Sequence, residues 1–141
     1  MRDTTFSDAA REPQTGLFFR KGCRTFTPKG RLILLHGVGS NEGNLASLAE
    51  SLPEELEVIL VRAPLHVGPQ GFAWYQVNFT SNGPSFNQEQ AEASRLLLQR
   101  FIEALPALPT VIAGFSQGGI MSASLGVTEP ELVAGFAILS G

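Results

Sequence analysis

Val111-Ile112-Ala113-Gly114-Phe115-Ser116-Gln117-Gly118-Gly119 is the stretch on which the fold turns. Three apolar residues run into Gly-x-Ser-x-Gly, and a helix-compatible segment follows from Gln117 to about Leu125. Strand, sharp turn and helix together are the setting in which this pattern forms a nucleophile elbow. The turn is too tight for a Cβ at the flanking positions, so glycine is needed there. The serine hydroxyl is lifted clear of the sheet. The N-terminus of the next helix directs its dipole and free N–H groups at the same point, where they favour a developing oxyanion. Without strand and helix around it, five residues of this kind carry little weight in a chain with 15 glycines.

Outward from the elbow lie four apolar runs: Leu32–Leu35, Val58–Val61, Val111–Ala113 and Phe136–Leu139. None alternates polar with apolar, so each suits a strand buried on both faces, as in a parallel sheet. Helical patterns separate them. Leu45, Leu48, Ala49 and Leu52 share one face and stop at Pro53. Asn87 and Gln90 form an approximate capping box for a longer helix with an Ala93, Leu97, Phe101, Leu105 stripe that ends at Pro106. Strands alternating with helices predict an α/β fold, a mostly parallel sheet with flanking helices. Leu17–Arg20 and Cys23–Thr27, around Lys21-Gly22, predict a short hairpin. The stretch from Ala63 to Phe86 has no clear period, and a loop of that length in a compact domain is usually functional.

Acyl transfer needs two N–H donors for the oxyanion. One comes from the residue after the nucleophile, here Gln117, and the other from an earlier strand-to-helix loop. Leu34-Leu35-His36-Gly37-Val38-Gly39 closes the first buried run, and its glycines let the Val38 N–H face the site, although a plain β-to-α turn has the same composition. His36, Gly37 and Gly39 belong to this substrate-facing turn, with His36 holding it through hydrogen bonds.

Composition narrows the function classes. A net charge of −3 with scattered Lys and Arg gives no footprint for nucleic acid or an anionic membrane. No apolar run approaches the ~20 residues of a membrane span, and the polar start lacks the apolar core of a signal peptide. The lone Cys23 allows no internal disulfide; a cytoplasmic location is expected. Glu50, Glu54, Glu55 and Glu57 lack the Cys/His company of metal sites and suit a solvated face. Gly37-Val38-Gly39 lacks the third glycine of a dinucleotide loop.

Leu35–Gly39, Arg62-Ala63-Pro64, Gly71-Phe72-Ala73-Trp74-Tyr75, Gly114–Gly119 and Leu139-Ser140-Gly141 follow one another in a specific order and spacing. In this they resemble the phospholipase/carboxylesterase family, which includes acyl-protein thioesterases and small bacterial carboxylesterases. The resemblance covers roughly Leu17 to Gly141. It implies an α/β-hydrolase fold and cofactor-free hydrolysis of ester or thioester small molecules with apolar acyl groups. By the same resemblance Ser116 is the nucleophile, Val38 and Gln117 are oxyanion donors, and Trp74 lies in the loop beside the site as a substrate-binding candidate. Trp74 and Tyr75 either line an acyl pocket or pack that loop onto the core; Arg62 is expected to anchor it.

In that family the triad runs Ser, Asp, His. Residues 117–141 hold neither Asp nor His, only Glu129 and Glu131 as acids; the aspartates are Asp3 and Asp8 and the histidines His36 and His66. A serine hydroxyl is a weak nucleophile without a base beside it. The expectation is therefore a C-terminally truncated hydrolase with residues 1–14 as a flexible leader. Residues 15–141 form the N-terminal part of one α/β-hydrolase domain lacking its last strand–helix units, with activity impaired. A non-catalytic binding module is the alternative, and assembly of one site from two pieces a third. The bare run Phe136–Leu139 predicts homodimerisation or aggregation through an exposed sheet edge.

Overall fold

The computed structural model describes residues 5–69 and 71–139. In chain order the elements are β1 (Ala10–Arg11), β2 (Phe18–Gly22), β3 (Gly30–Leu35), a 3-10 turn (Ala46–Ser51), β4 (Leu56–Val61), β5 (Leu65–Val67), β6 (Gly71–Ala73), β7 (Val77–Thr80), β8 (Gly83–Phe86), α1 (Gln88–Glu103), β9 (Thr110–Phe115), α2 (Gln117–Thr128) and β10 (Gly135–Leu139). The central sheet has the order β1-β2-β4-β3-β9-β10. β4, β3, β9 and β10 are parallel, while β1 and β2 add antiparallel at one edge.

The continuous apolar runs follow from this layering. Alternate residues of β3 and β4 serve two cores: Ile33, Leu35, Ile59 and Val61 pack with Ile112 of β9 against Leu98, Phe101 and Ile102 of α1 and Met121 and Leu125 of α2. Leu34, Val58, Leu60 and Ala113 face the other way, onto Ala49 with Phe6, Leu45 and Leu52 around it. A strand with a core on each side has no polar position to alternate.

Several expectations need correction. The predicted hairpin does not form: β2 runs through Lys21-Gly22 and pairs with β4, Phe19 opposite Val61 and Gly22 opposite Val58, while Cys23 lies in the turn beyond, its Sγ 3.1 Å from the Thr25 carbonyl. The β4 edge offers a longer ladder than a two-strand ribbon. Residues before Gln14 do not form a loose leader throughout: Ala10 and Arg11 pair with Phe19 and Phe18, Phe6 bridges Gly22, and the Glu12 carboxylate accepts the Gln14 and Thr15 N–H groups. Met1–Thr4, which include Asp3, lie outside the described residues.

The 45–52 pattern forms only a short 3-10 turn, because Pro53 follows at once. In α1 the Asn87 side chain accepts the Gln90 N–H as expected, at 3.0 Å. The buried face is Ser94, Leu98, Phe101 and Ile102; of the predicted stripe Phe101 is fully buried and Leu97 and Leu105 pack against the same core, while Ala93 is exposed. Glu57 is also not on a solvated face: it is buried, with Arg31 Nε 3.5 Å from its Oε1. The aperiodic stretch 63–86 contains two small antiparallel hairpins, β5–β6 and β7–β8. Among the described residues no helix is long and apolar enough to cross a membrane.

Candidate active site

Sheet topology places the site before any side chain is considered. From β3 the chain crosses to β4 on one side, while β9 sits on the other side of β3. Such a switch point leaves a crevice outside the carboxyl ends of the two strands, where open α/β sheets bind ligands. β3 ends at Leu35 and opens into His36-Gly37-Val38; β9 ends at Phe115 and opens into Ser116.

Ser116 is exposed and stands between β9 and α2 with φ 56 and ψ −118; among the described residues it is the non-glycine with positive φ. A serine in this region is strained, and strain of this kind persists where surroundings over-determine it. The surroundings are backbone on backbone. A Cβ on Gly114 would overlap the Gly118 carbonyl, and a Cβ on Gly118 would overlap the carbonyl oxygens of Leu35 and His36. The start of α2 therefore lies directly on the end of β3. Gly37 completes the approach, since a Cβ there would come within 3.3 Å of the Ser116 Cβ. The Ser116 N–H points to the Leu139 carbonyl at 3.4 Å and its carbonyl accepts the Ile120 N–H at 3.1 Å. The first N–H groups of α2 have no partner inside the helix.

Val38 is half exposed at the tip of the turn. Gly39 follows with φ 79, and its N–H donates to the Phe72 carbonyl at 2.9 Å. The His36 ring is turned inward. Its Nε2 accepts the Ala63 N–H at 3.0 Å, so the proton is on Nδ1, which donates to the Gly37 carbonyl at 2.8 Å. Burial, aided by the Arg62 cation, holds the imidazole below its ordinary value of 6.5 and neutral. With both ring nitrogens engaged, it ties the turn to the residues just beyond β4.

Replacing His36 by Phe is expected to orphan the Ala63 N–H at a cost of about 1–3 kcal/mol. The sign for His36 follows from its lowered folded value. Its stabilising effect is complete above 6.5 and is lost as pH falls through the folded value, so wild type loses stability below 6.5 and His36→Phe lacks that component. Urea titrations at several pH values check both.

Trp74 and Tyr75 both pack into the core, and they differ in what else they touch. Trp74 is fully buried, its Nε1–H donating to the His36 carbonyl at 2.9 Å, so its ring packs the loop and touches no solvent. Tyr75 is also buried but lines a cavity of about 420 Å³ with Val38, Val67, Ala73 and Val77. Arg62 anchors the loop through Glu42, with Nε–Oε1 2.7 Å and Nη2–Oε2 2.9 Å. Glu42, buried and held below 4.5 by that guanidinium, had no signal in the sequence; neither did Ser94, whose hydroxyl donates to the Trp74 carbonyl at 2.6 Å.

Among the described residues no hydrogen bond joins Ser116 to a histidine. His66 is exposed in β5 and stacks on Phe72 at 5.1 Å. Glu129 and Glu131 lie beyond the far end of α2, whose twelve residues span about 18 Å, and Glu129 is near Arg95. Asp8 is exposed beside β2. Ser140 and Gly141, which end the last motif, lie outside the described residues. No group of His, Cys, Asp and Glu among the described residues has the arrangement of a metal site.

Comparison with known proteins agrees with this geometry. An acyl-protein thioesterase 1 from Mycosarcoma maydis is 26% identical over 138 residues, covering 80% of this chain and 57% of its own length. The crystal structure of a carboxylesterase from Mesorhizobium loti is 20% identical with a TM-score of 0.76, covering 94% of this chain and 64% of that one. That of the Bacillus cereus carboxylesterase is 23% identical with a TM-score of 0.74, covering 89% and 60%. The fold is thus that of the α/β-hydrolases, and the chain spans less than two thirds of the length of each of these relatives. The phospholipase/carboxylesterase pattern matches residues 23–141, from the turn after β2 through the turn after β3 and the β9–α2 elbow, and the chain belongs to that family.

Proposed function

We propose that these residues are the nucleophile-bearing part of a serine carboxylesterase or thioesterase working through an acyl-Ser116 intermediate. The observation that carries this reading is the backbone of Ser116: an exposed serine held at positive φ at the switch point, with the α2 N-terminus behind it. Ser116 Oγ attacks the acyl carbonyl carbon; the new C–O bond forms as the carbonyl π pair moves to oxygen. The Val38 and Gln117 N–H groups hold that oxyanion, an effect of roughly 3–4 kcal/mol per donor. The serine proton passes to a base, which hands it to the leaving oxygen or sulfur as the tetrahedral centre collapses, the C–O or C–S bond breaks and the alcohol or thiol departs. Water then repeats the sequence on acyl-Ser116. The apolar cavity beside Val38 suits an acyl chain. No cofactor enters these steps, and a cytoplasmic setting goes with them.

Because His36 is neutral and engaged, it supplies no base to Ser116, and turnover by this chain alone is expected to be slow. Hydrolysis of p-nitrophenyl butyrate by the 141-residue protein should fall to the buffer rate in Ser116→Ala. Equal rates for the two proteins would remove the esterase reading and leave the binding module.

The reading extends to self-association. β10 is the last strand of the sheet, with Phe136 42% and Ile138 57% exposed. It is uncharged, and antiparallel pairing with a second β10 is self-complementary. Light scattering should show dimers or larger species that Ile138→Lys returns to monomers; a monodisperse wild-type monomer at high concentration counts against the pairing.

A further inference from the structure

We propose that the strap Gly71–Tyr75 sets the spacing between the two oxyanion donors, with Phe72 and the Gln117 side chain as its positioning residues. This rests on the oxyanion reading above and adds what holds the two donors in register.

One end of the strap is fastened beside Val38. The Phe72 carbonyl accepts the Gly39 N–H and the Phe72 N–H donates to the Ser40 carbonyl, both at 2.9 Å. The approach is close enough that a Cβ on Gly71 would stand 2.5 Å from the Gly39 carbonyl oxygen. The Phe72 ring is held in turn, with the Arg62 guanidinium 4.8 Å from its centre and the His66 ring at 5.1 Å. Arg62 is bound to Glu42, which lies in the loop just after Ser40. Gly39, Ser40, Glu42, Arg62 and Phe72 thus form a closed circuit around the oxyanion turn.

The other end is fastened to the second donor residue. Gln117 is 3% exposed, and its Oε1 accepts the Trp74 N–H at 2.7 Å and the Tyr75 N–H at 3.4 Å. Its Nε2 donates to the Tyr75 carbonyl at 2.8 Å. The residue whose backbone N–H faces the oxyanion therefore uses its side chain to grip the strap. Between the two fastenings lies extended chain rising about 3.3 Å per residue, which has little freedom to stretch. The donors cannot separate unless these hydrogen bonds break.

The test is phosphonylation of Ser116 by a fluorophosphonate, followed by mass spectrometry on the 141-residue protein. The Ser116 Oγ–P bond forms as P–F breaks, fluoride leaves and the serine proton passes to buffer base. Phe72→Ala keeps the strap backbone but removes the ring; Gln117→Glu keeps the backbone donor but loses the bond to the Tyr75 carbonyl. Misplacement of about 1 Å costs on the order of 100-fold, so both variants should lower the rate at saturating probe by roughly 10–100-fold. The half-saturating concentration should move by no more than about twofold, the split expected when only the transition state is affected. Phe72→Tyr, which retains the stacked ring, should recover the wild-type rate. A purely structural role would lower the melting temperature and leave the saturated rate of the folded protein intact. Wild-type rates in both variants would overturn the proposal while leaving the oxyanion reading in place. Equal labelling of wild type and Ser116→Ala would overturn that reading and the proposal with it. If Phe72→Ala does not fold by circular dichroism, Phe72→Leu and Gln117→Glu carry the same comparison.

Discussion

Gly118→Ala is expected to leave little or no native protein. An added methyl at this position meets the carbonyl oxygens of Leu35, at the end of the β3 ladder, and of His36, which accepts the Trp74 Nε1–H, and neither can rotate away. Overpacking against side chains costs about 1–3 kcal/mol because rotamers can yield. Backbone on backbone gives no such release, so the loss should exceed about 4 kcal/mol, a large part of the ~5–15 kcal/mol typical of a whole domain. Two other glycines calibrate the result. Gly39→Ala has open space but keeps φ 79, and should cost about 1 kcal/mol. Gly135→Ala has open space and no positive φ, so it should be neutral or slightly stabilising. Urea midpoints for the three proteins should fall in that order. A Gly118→Ala midpoint close to that of wild type would mean that α2 does not rest on the end of β3.

Arg62→Ala is expected to produce the second largest loss, and one that depends on pH. The Glu42 side chain is 5% exposed, and removing its bidentate partner strands a buried carboxylate at a cost of about 3 kcal/mol. Arg20, 3.7 Å away, offsets only part of this. In wild type the Arg62 hydrogen bonds hold Glu42 below 4.5. The pair therefore stabilises the fold fully above 4.5, and that contribution disappears as pH falls through the lowered folded value. In the variant burial, opposed only by Arg20 and a backbone N–H, shifts Glu42 toward the neutral acid. The gap between the two proteins should be widest near neutrality and close below 4.5. A gap that stays constant from neutral pH to pH 4 would show that the ion pair is not its source.

The elbow was legible because its information is local. Val111–Ala113, Gly114, Ser116 and Gly118-Gly119 all fall within nine consecutive residues, and each has a steric reason to be where it is. The four parallel strands were legible for a related reason: a run apolar on both faces has few other uses. The N-terminal pairing was not, because Phe18–Gly22 reads equally well as half of a hairpin. Only the presence of β4 as a neighbour, some 40 residues on in sequence, selects the ladder it joins. Of the α1 stripe only Ala93 was misplaced: Ser94, polar by type, is buried beside it to reach the Trp74 carbonyl. Glu42 and the Gln117 carboxamide escaped notice for the same reason. Their partners, Arg62, Trp74 and Tyr75, are 20 to 43 residues away, and no periodicity encodes such contacts.

The left-handed backbone at Ser116 bears on what this chain is kept for. Glycine occupies that region without penalty, whereas serine there raises the energy of the folded state. A scaffold retained only for binding would gain stability from glycine at this position at no functional loss. Residues that lower stability while serving a reaction mark a trade between endurance and reactivity. On the proposed reading, Ser116 is the position where endurance yields to reactivity, and among the described residues it is the non-glycine that carries this strain.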